Sequence, residues 1–275
     1  MHYDKLGIIA GEGKFPVLIA KEAARKGIEV YAAVAKGNGC EEDFHDCAQK
    51  IISLKVGQLN GAIKFFKENG VKTAVMAGRV KHINIFNVMP DLRAAKVLAS
   101  IKDMRAKSIL QAAIDEFTKE GIKFVSSALF LDNFIAKKGV LTKRAPSEIE
   151  KQNIELGLHI SRTLASLDVG LTSVICDRAV MAVEGMEGTD ECIKRAGNIY
   201  ASAPLGKKSP ITVVKVARPN QDDRYDLPVI GKGTIKAMCE AKAKTLACEA
   251  QKTIILDIDE VIAQADKNGI SIIAV

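Results

Sequence analysis

The 275-residue chain is 48% apolar and 27% charged, with a formal charge of +7. This composition suits a soluble globular protein large enough for two modest domains, each with its own core. It argues against helices that span a bilayer, since no apolar run approaches ~20 residues. It also argues against a nucleic-acid binder, because the lysines are scattered and four tyrosines, nine phenylalanines and no tryptophan supply few stacking surfaces.

Leu6 to Ala10 reads as a short buried strand, and Gly11-Glu12-Gly13-Lys14-Phe15-Pro16 turns directly into a helix that Pro16 suits at its first position. Val17, Ile19, Ala20, Ala23 and Ala24 give that helix an apolar face, Gly27 ends it, and Val30 to Val34 is the next strand. The glycine turn aims backbone N–H groups at an anion, although glycines also serve a tight turn and nothing more. A dinucleotide fingerprint fails here, because Pro16 takes the third glycine's place and the second strand ends without an acid.

The pattern repeats with a strand at Ile51 to Leu54, a helix from Gln58 to Asn69 and a strand from Thr73 to Ala77. Gly78-Arg79-Val80-Lys81-His82 follows that last strand, at the end where open α/β sheets bind ligands. Helices are expected over Asp91 to Ile101, with Asp91 as N-cap, and over Arg105 to Glu120. A strand from Lys123 to Ser127 and a short apolar helix from Ala128 to Ile135 come next. Basic residues with glycine and proline make 137–146 the expected linker between domains at 1–136 and 147–275. Ser147 then opens a capping box with Glu150, and the helix runs to about Leu167.

In the second half, Thr172 to Cys176 and Val180 to Val183 read as a hairpin around Asp177-Arg178. Glu184-Gly185-Met186-Glu187-Gly188-Thr189-Asp190 follows; Thr189 or Asp190 serves as a helix cap, while Glu184 and Glu187 have no evident structural task. Ile211 to Ala217 is a buried strand ending in a segment bracketed by Pro219 and Pro228. Within it stand Gln221, Asp222, Asp223, Arg224 and Asp226, a set suited to a hard divalent cation and a phosphate, or to a solvated turn that caps the next helix. The run from Thr234 to Glu249 has helical spacing and few breakers. A strand from Thr253, a helix from Ile258 and a final strand from Ile270 complete the chain. The fold class is α/β, with an N-terminal Rossmann-like parallel sheet, a C-terminal mixed sheet and a cleft between the two domains.

The six cysteines (40, 47, 176, 192, 239 and 248) show no CxxC and no metal-finger spacing, as expected of reduced thiols in a cytoplasmic protein. Met1 to Gly13 lacks the features of a signal peptide. No P-loop and no nucleophile elbow occurs. Glycine turn, basic strand end and two acidic loops, facing one another across the cleft, would suit metal-assisted chemistry on a phosphate.

Five stretches taken in order resemble one family: Ile8 to Pro16, Ala77 to Val80, Asp168 to Gly170, Ala182 to Asp190, and Gln221 to Gly231. It is the family of LpxI-type UDP-2,3-diacylglucosamine pyrophosphatases, and the resemblance covers essentially the whole chain. It implies hydrolysis of the pyrophosphate of UDP-2,3-diacylglucosamine to UMP and 2,3-diacylglucosamine 1-phosphate (lipid X) in lipid A synthesis, with Mg²⁺ or Mn²⁺ as cofactor. On that resemblance Asp226, Asp222, Arg224 and Gln221 are the expected catalytic residues. Asp222, Asp226, Glu184, Glu187 and Asp190 are the expected metal ligands, and Gly11, Gly13, Arg79, Lys81, Thr189 and Lys215 the expected substrate contacts. Its partners would be the UDP-linked glycolipid and, transiently, the cytoplasmic face of the inner membrane, with no nucleic acid; dimerisation stays open. A nucleotide-sugar or lipid-phosphate binding protein without catalysis, or a phosphohydrolase of another UDP-sugar, would use the same residue types.

Overall fold

The computed structural model describes residues 3–37, 39–78, 90–101, 106–202, 209–219 and 227–275. The chain divides into two compact units, with the change at Leu131–Asp132.

The first unit begins β1 (Lys5–Ala10), α1 (Lys14–Arg25), β2 (Glu29–Ala35), β3 (Lys50–Leu54), α2 (Leu59–Glu68) and β4 (Thr73–Ala77). It continues α3 (Leu92–Ser100), α4 (Ala106–Lys119) and β5 (Lys123–Phe124). All its strands run parallel in the order β3-β2-β1-β4-β5, the expected Rossmann-like sheet. The order reverses at β1, so the carboxyl ends of β1 and β4 flank the switch point of the sheet. Phe66, Phe117 and Phe124 pack in sequence, at 6.0 Å and then 5.1 Å between centroids, beneath one face of the sheet. Gly7 admits the Phe66 ring, since a Cβ there would lie 2.8 Å from its Cζ. Removing a ring of this kind costs ~3–5 kcal/mol.

Ile19, Ala20 and Ala23 bury the apolar face of α1. This helix starts two residues earlier than expected, at Lys14, so Pro16 is its third residue. There its missing N–H costs nothing, because the first turn has no intrahelical acceptors. Asp91 caps α3 through a bond from the Ala94 N–H at 2.8 Å. Where a helix was expected over 128–135, two 3₁₀ turns form, Ser127–Phe130 and Asp132–Phe134.

The second unit contains β6 (Gly139–Val140), α5 (Glu148–Ser166), β7 (Thr172–Cys176), β8 (Ala179–Val183), α6 (Thr189–Ser202), β9 (Ile211–Lys215) and β10 (Val229–Ile230). Then come α7 (Lys232–Glu240), β11 (Ala243–Cys248), β12 (Ile254–Ile255), α8 (Ile258–Lys267) and β13 (Ser271–Ala274). Its main sheet has the order β6-β13-β11-β9-β7-β8, and β10 pairs with β12. β13, β11 and β9 are parallel, whereas β6, β7 and β8 join antiparallel, which makes the mixed sheet expected. Asp177 and Arg178, both with positive φ, form the two-residue turn of the β7–β8 hairpin. One face is closed by α5, where Gly157 lets the helix approach Val214 of β9 so closely that a Cβ would stand 2.4 Å away. The other face packs an apolar cluster that includes Ile193, Ile235, Met238 and Val261.

The expected helix from Thr234 to Glu249 is corrected: α7 stops at Glu240 and residues 243–248 form β11, a central strand of the sheet. Lys242 makes the break with φ +59, a position usually given to glycine. β11 is buried on both faces apart from Lys244, so it carries no period of two to separate it from a helix. The stretch 137–146, expected as a linker, is bound to the second unit. β6 pairs with β13, Leu141 N donates to Ile272 O at 2.8 Å, and Arg144 reaches Glu150 at 2.6 Å.

Ser147 and Glu150 form the predicted capping box. Glu150 is fully buried and also accepts from Thr245 Oγ1 at 2.6 Å. Burial opposes its ionisation, but the bonds from Arg144, Thr245 and Ser147 outweigh it and hold the carboxyl below its ordinary range.

Candidate active site

In the second unit, β9 ends at Lys215, β8 at Val183, and β7 begins at Thr172; β7 runs antiparallel to both, so the three ends coincide. Lys215 is the last residue of a strand buried along its whole length, and it is 8% exposed. An ammonium so buried needs acceptors. It donates to Thr189 Oγ1 and to the carbonyl of Val229, each at 3.0 Å. The Thr189 hydroxyl has one proton, and it donates to Glu184 Oε1 at 3.1 Å. Thr172 Oγ1 lies 3.3 Å from the same hydroxyl oxygen. A chain of polar contacts therefore runs from Lys215 through Thr189 to Glu184.

Glu184 is held at its other oxygen by the Leu171 N–H, at 3.2 Å. Gly170 makes that geometry possible: a Cβ there would lie 2.1 Å from the Glu184 carbonyl oxygen. The 168–171 turn and the 184–189 loop are thus locked together.

The other two acids of this loop go elsewhere. Glu187 pairs with Arg195 at 2.5 Å and accepts from Gly185 N; the Arg195 guanidinium holds its carboxyl below the ordinary range. Asp190 accepts from Thr234 Oγ1 at 2.9 Å, which joins the first turn of α6 to the first turn of α7. Among the described residues no three His, Cys, Asp or Glu side chains come together to hold a metal ion. Glu184, Glu187 and Asp190, expected to share a cation, have separate protein partners.

Gln221, Asp222, Asp223, Arg224 and Asp226 lie outside the described residues, as do Arg79, Lys81 and His82. The flanks of the acidic segment are described. Pro228 O accepts from Ile254 N at 2.9 Å, and Val229 O accepts from Lys215, so the far flank is tied to the site.

In the first unit, Gly11 N donates to Ala77 O at 2.8 Å. Gly78, at φ +91, stands so close to Gly11 that a Cβ would meet its backbone at 2.7 Å. Gly13 precedes α1 with φ +105 and leaves its first turn without a side-chain cap. The predicted glycine turn thus sits beside the switch point, and among the described residues no side chain caps the helix that follows it.

Sequence reasoning did not find Thr172, Thr234 or Arg195. Thr234 and Asp190 are 44 residues apart, and nothing local links them. Cys192 is fully buried at the base of α6, and burial pushes its thiol up to about 12, so it holds no thiolate at neutral pH.

Comparisons with known proteins cover both units. The family model of the LpxI N-terminal domain matches residues 5–134, and that of the LpxI C-terminal domain matches residues 137–273. The UDP-2,3-diacylglucosamine pyrophosphatase LpxI of Caulobacter vibrioides is 29% identical over 277 residues, 98% of this chain and 97% of that protein.

Proposed function

Because this chain belongs to the LpxI family, matched along both of that family's domains, we propose that it hydrolyses the pyrophosphate of UDP-2,3-diacylglucosamine. The products are UMP and 2,3-diacylglucosamine 1-phosphate, a step of lipid A synthesis. The observation that carries the reading within the structure is the Lys215–Thr189–Glu184 chain, buried at Lys215 and half-buried at the other two, and tied through Val229 to the flank of the acidic segment.

Hydrolysis of a phosphoanhydride asks for positive charge against the phosphate oxygens and a carboxylate to orient water. Lys215 supplies a fixed ammonium. Thr189 and Glu184 keep it in place, and a preorganised charge needs no rearrangement as negative charge develops. Arg224 adds a guanidinium suited to two phosphate oxygens. Asp226 and Asp222 are the carboxylates assigned to water activation or cation binding, with Gln221 beside them. Gly11 and Gly13 would meet the nucleotide side through backbone N–H groups, with Arg79 and Lys81.

The described acids offer oxygen donors, yet Glu187 is neutralised by Arg195 and Asp190 is engaged by Thr234. A hard cation such as Mg²⁺ would therefore rest on Asp222 and Asp226, with Glu184 as the nearest described carboxylate in the chain from Lys215. When bound it would neutralise phosphate charge. Among the described residues no helix is long and apolar enough to cross a membrane, and the acylated substrate would be met at the membrane surface.

The test is UMP release from UDP-2,3-diacylglucosamine by the purified protein, with Mg²⁺ and with excess chelator, alongside Asp226→Ala. Release that depends on metal and on Asp226, in a variant that melts like the wild type, supports the reading. No release with any divalent cation would refute it and leave a binding protein or another phosphate ester.

A further inference from the structure

Glu249 is a buried carboxylate for which the reaction above has no use. It follows β11 directly, is 6% exposed, and divides its two oxygens between two kinds of partner. Oε2 accepts the backbone N–H of Ala217 at 2.8 Å. Oε1 accepts Nε and Nη2 of Arg162, on α5, at 3.1 and 2.9 Å, with the Lys252 ammonium at 3.9 Å.

Ala217 is itself buried, two residues after Lys215 and two before Pro219, where the acidic segment begins. The sheet ladder between β9 and β11 ends at the pair Lys215–Cys248, so the Glu249–Ala217 bond lies beyond it. It fixes the backbone that leads out of the strand. The neighbouring residues are fixed too: Val216 N donates to Leu171 O at 2.9 Å, and Arg218 pairs with Asp168.

We infer that Glu249, held in its rotamer by Arg162, is a positioning residue that fixes the backbone leaving β9, and with it the Lys215 ammonium at the strand's end. The inference rests on the hydrolytic reading above. A carboxylate is costly to bury, and a tie that served the sheet alone would be made by the ladder. Here the charge is spent on one N–H at the mouth of the segment. The guanidinium that balances it comes from α5, the helix that packs on β9. Positioning errors of about 1 Å at reacting groups are known to cost on the order of 100-fold in rate.

Arg162 has a half-exposed side chain, so substitutions there leave the core intact. The experiment compares wild type, Arg162→Lys, Arg162→Met and Glu249→Gln in full-length protein. It reads kcat and KM for UMP release, melting temperature, and hydrogen exchange of the peptide spanning 211–219. Arg162→Met is expected to lower kcat about 10-fold or more while KM stays within about twofold, with faster exchange at Ala217 and little change in melting. Arg162→Lys should recover most of kcat, because the charge returns, and Glu249→Gln should lose the most.

Wild-type kcat in both Arg162→Met and Glu249→Gln would overturn the inference. So would losses in kcat that merely track losses in melting temperature across all three variants. If the wild-type protein releases no UMP, the hydrolytic reading itself falls, which is a different result from an active enzyme indifferent to Arg162.

Discussion

Gly170→Ala should disable the site while leaving the fold in place. The added methyl carbon would stand 2.1 Å from the Glu184 carbonyl oxygen, 2.7 Å from its carbonyl carbon and 3.0 Å from its Cβ. Carbon–oxygen contacts close to about 3.3 Å, so the 184 backbone must retreat by roughly 1 Å. The contact is with backbone, which has no rotamer to turn aside. Overpacking of this size costs about 1–3 kcal/mol of stability. The functional loss is larger in proportion, because Glu184 carries Thr189 and Thr189 carries Lys215. A shift of about 1 Å there predicts a fall in kcat on the order of 100-fold. Gly61→Ala, in α2, is the control, since its Cβ would meet only the end of the Leu54 side chain at 3.1 Å and alanine favours a helix. The assay is steady-state UMP release together with a thermal melt. Wild-type kcat in Gly170→Ala would refute the link from the turn to the Lys215 ammonium.

Thr189→Val keeps the shape of the side chain and removes the hydroxyl shared by Lys215 and Glu184, so a melt should show a loss of about 1.5–3 kcal/mol and turnover should fall; Thr189→Ser should restore both. The carboxyl of Glu150 is depressed in the folded protein, so its contribution is present above the unfolded carboxylate value and is lost as pH falls through the lower, folded one. Acid denaturation followed by circular dichroism should therefore be flatter below about pH 5 in Glu150→Gln than in wild type, although the variant is less stable at neutral pH. Cys192 and Cys248, whose thiols burial pushes up to about 12, should resist a thiol reagent at pH 8 in the folded protein; exposed Cys40 should react first, and Cys40→Ser should remove that fast phase.

The alternation of strand and helix in the first unit was legible because the elements are short and several are closed by glycine, as α1 is by Gly27 and α2 by Gly70. β11 was not, because a strand covered on both faces looks like any apolar run, and its turn uses Lys242 where a glycine would have flagged it. The β7–β8 hairpin was readable from Asp177-Arg178 despite the lack of glycine, since a polar pair between two apolar runs of strand length marks a tight turn. At the site, the residues Glu184, Thr189 and Lys215 were picked out, but their mutual bonding was not. Thr172 and Val229 complete the set from positions 17 and 14 residues distant from their partners, and only the sheet order brings them together. The family resemblance gave the three loop acids one task, whereas Arg195 claims Glu187, Thr234 claims Asp190, and Thr189 with the Leu171 amide claims Glu184.

The edge strand β6 bears on any attempt to separate the two halves. A truncated protein starting at Ser147, the proline-marked boundary, would lose the strand that covers the outer edge of β13, together with the Arg144 guanidinium that neutralises buried Glu150. It would present the apolar run Ser271–Ala274 as an open template for another chain's backbone, with a stranded charge behind it. Halves exchanged between relatives should instead be joined at Asp132, where the peptide chain changes allegiance before the sheet is closed.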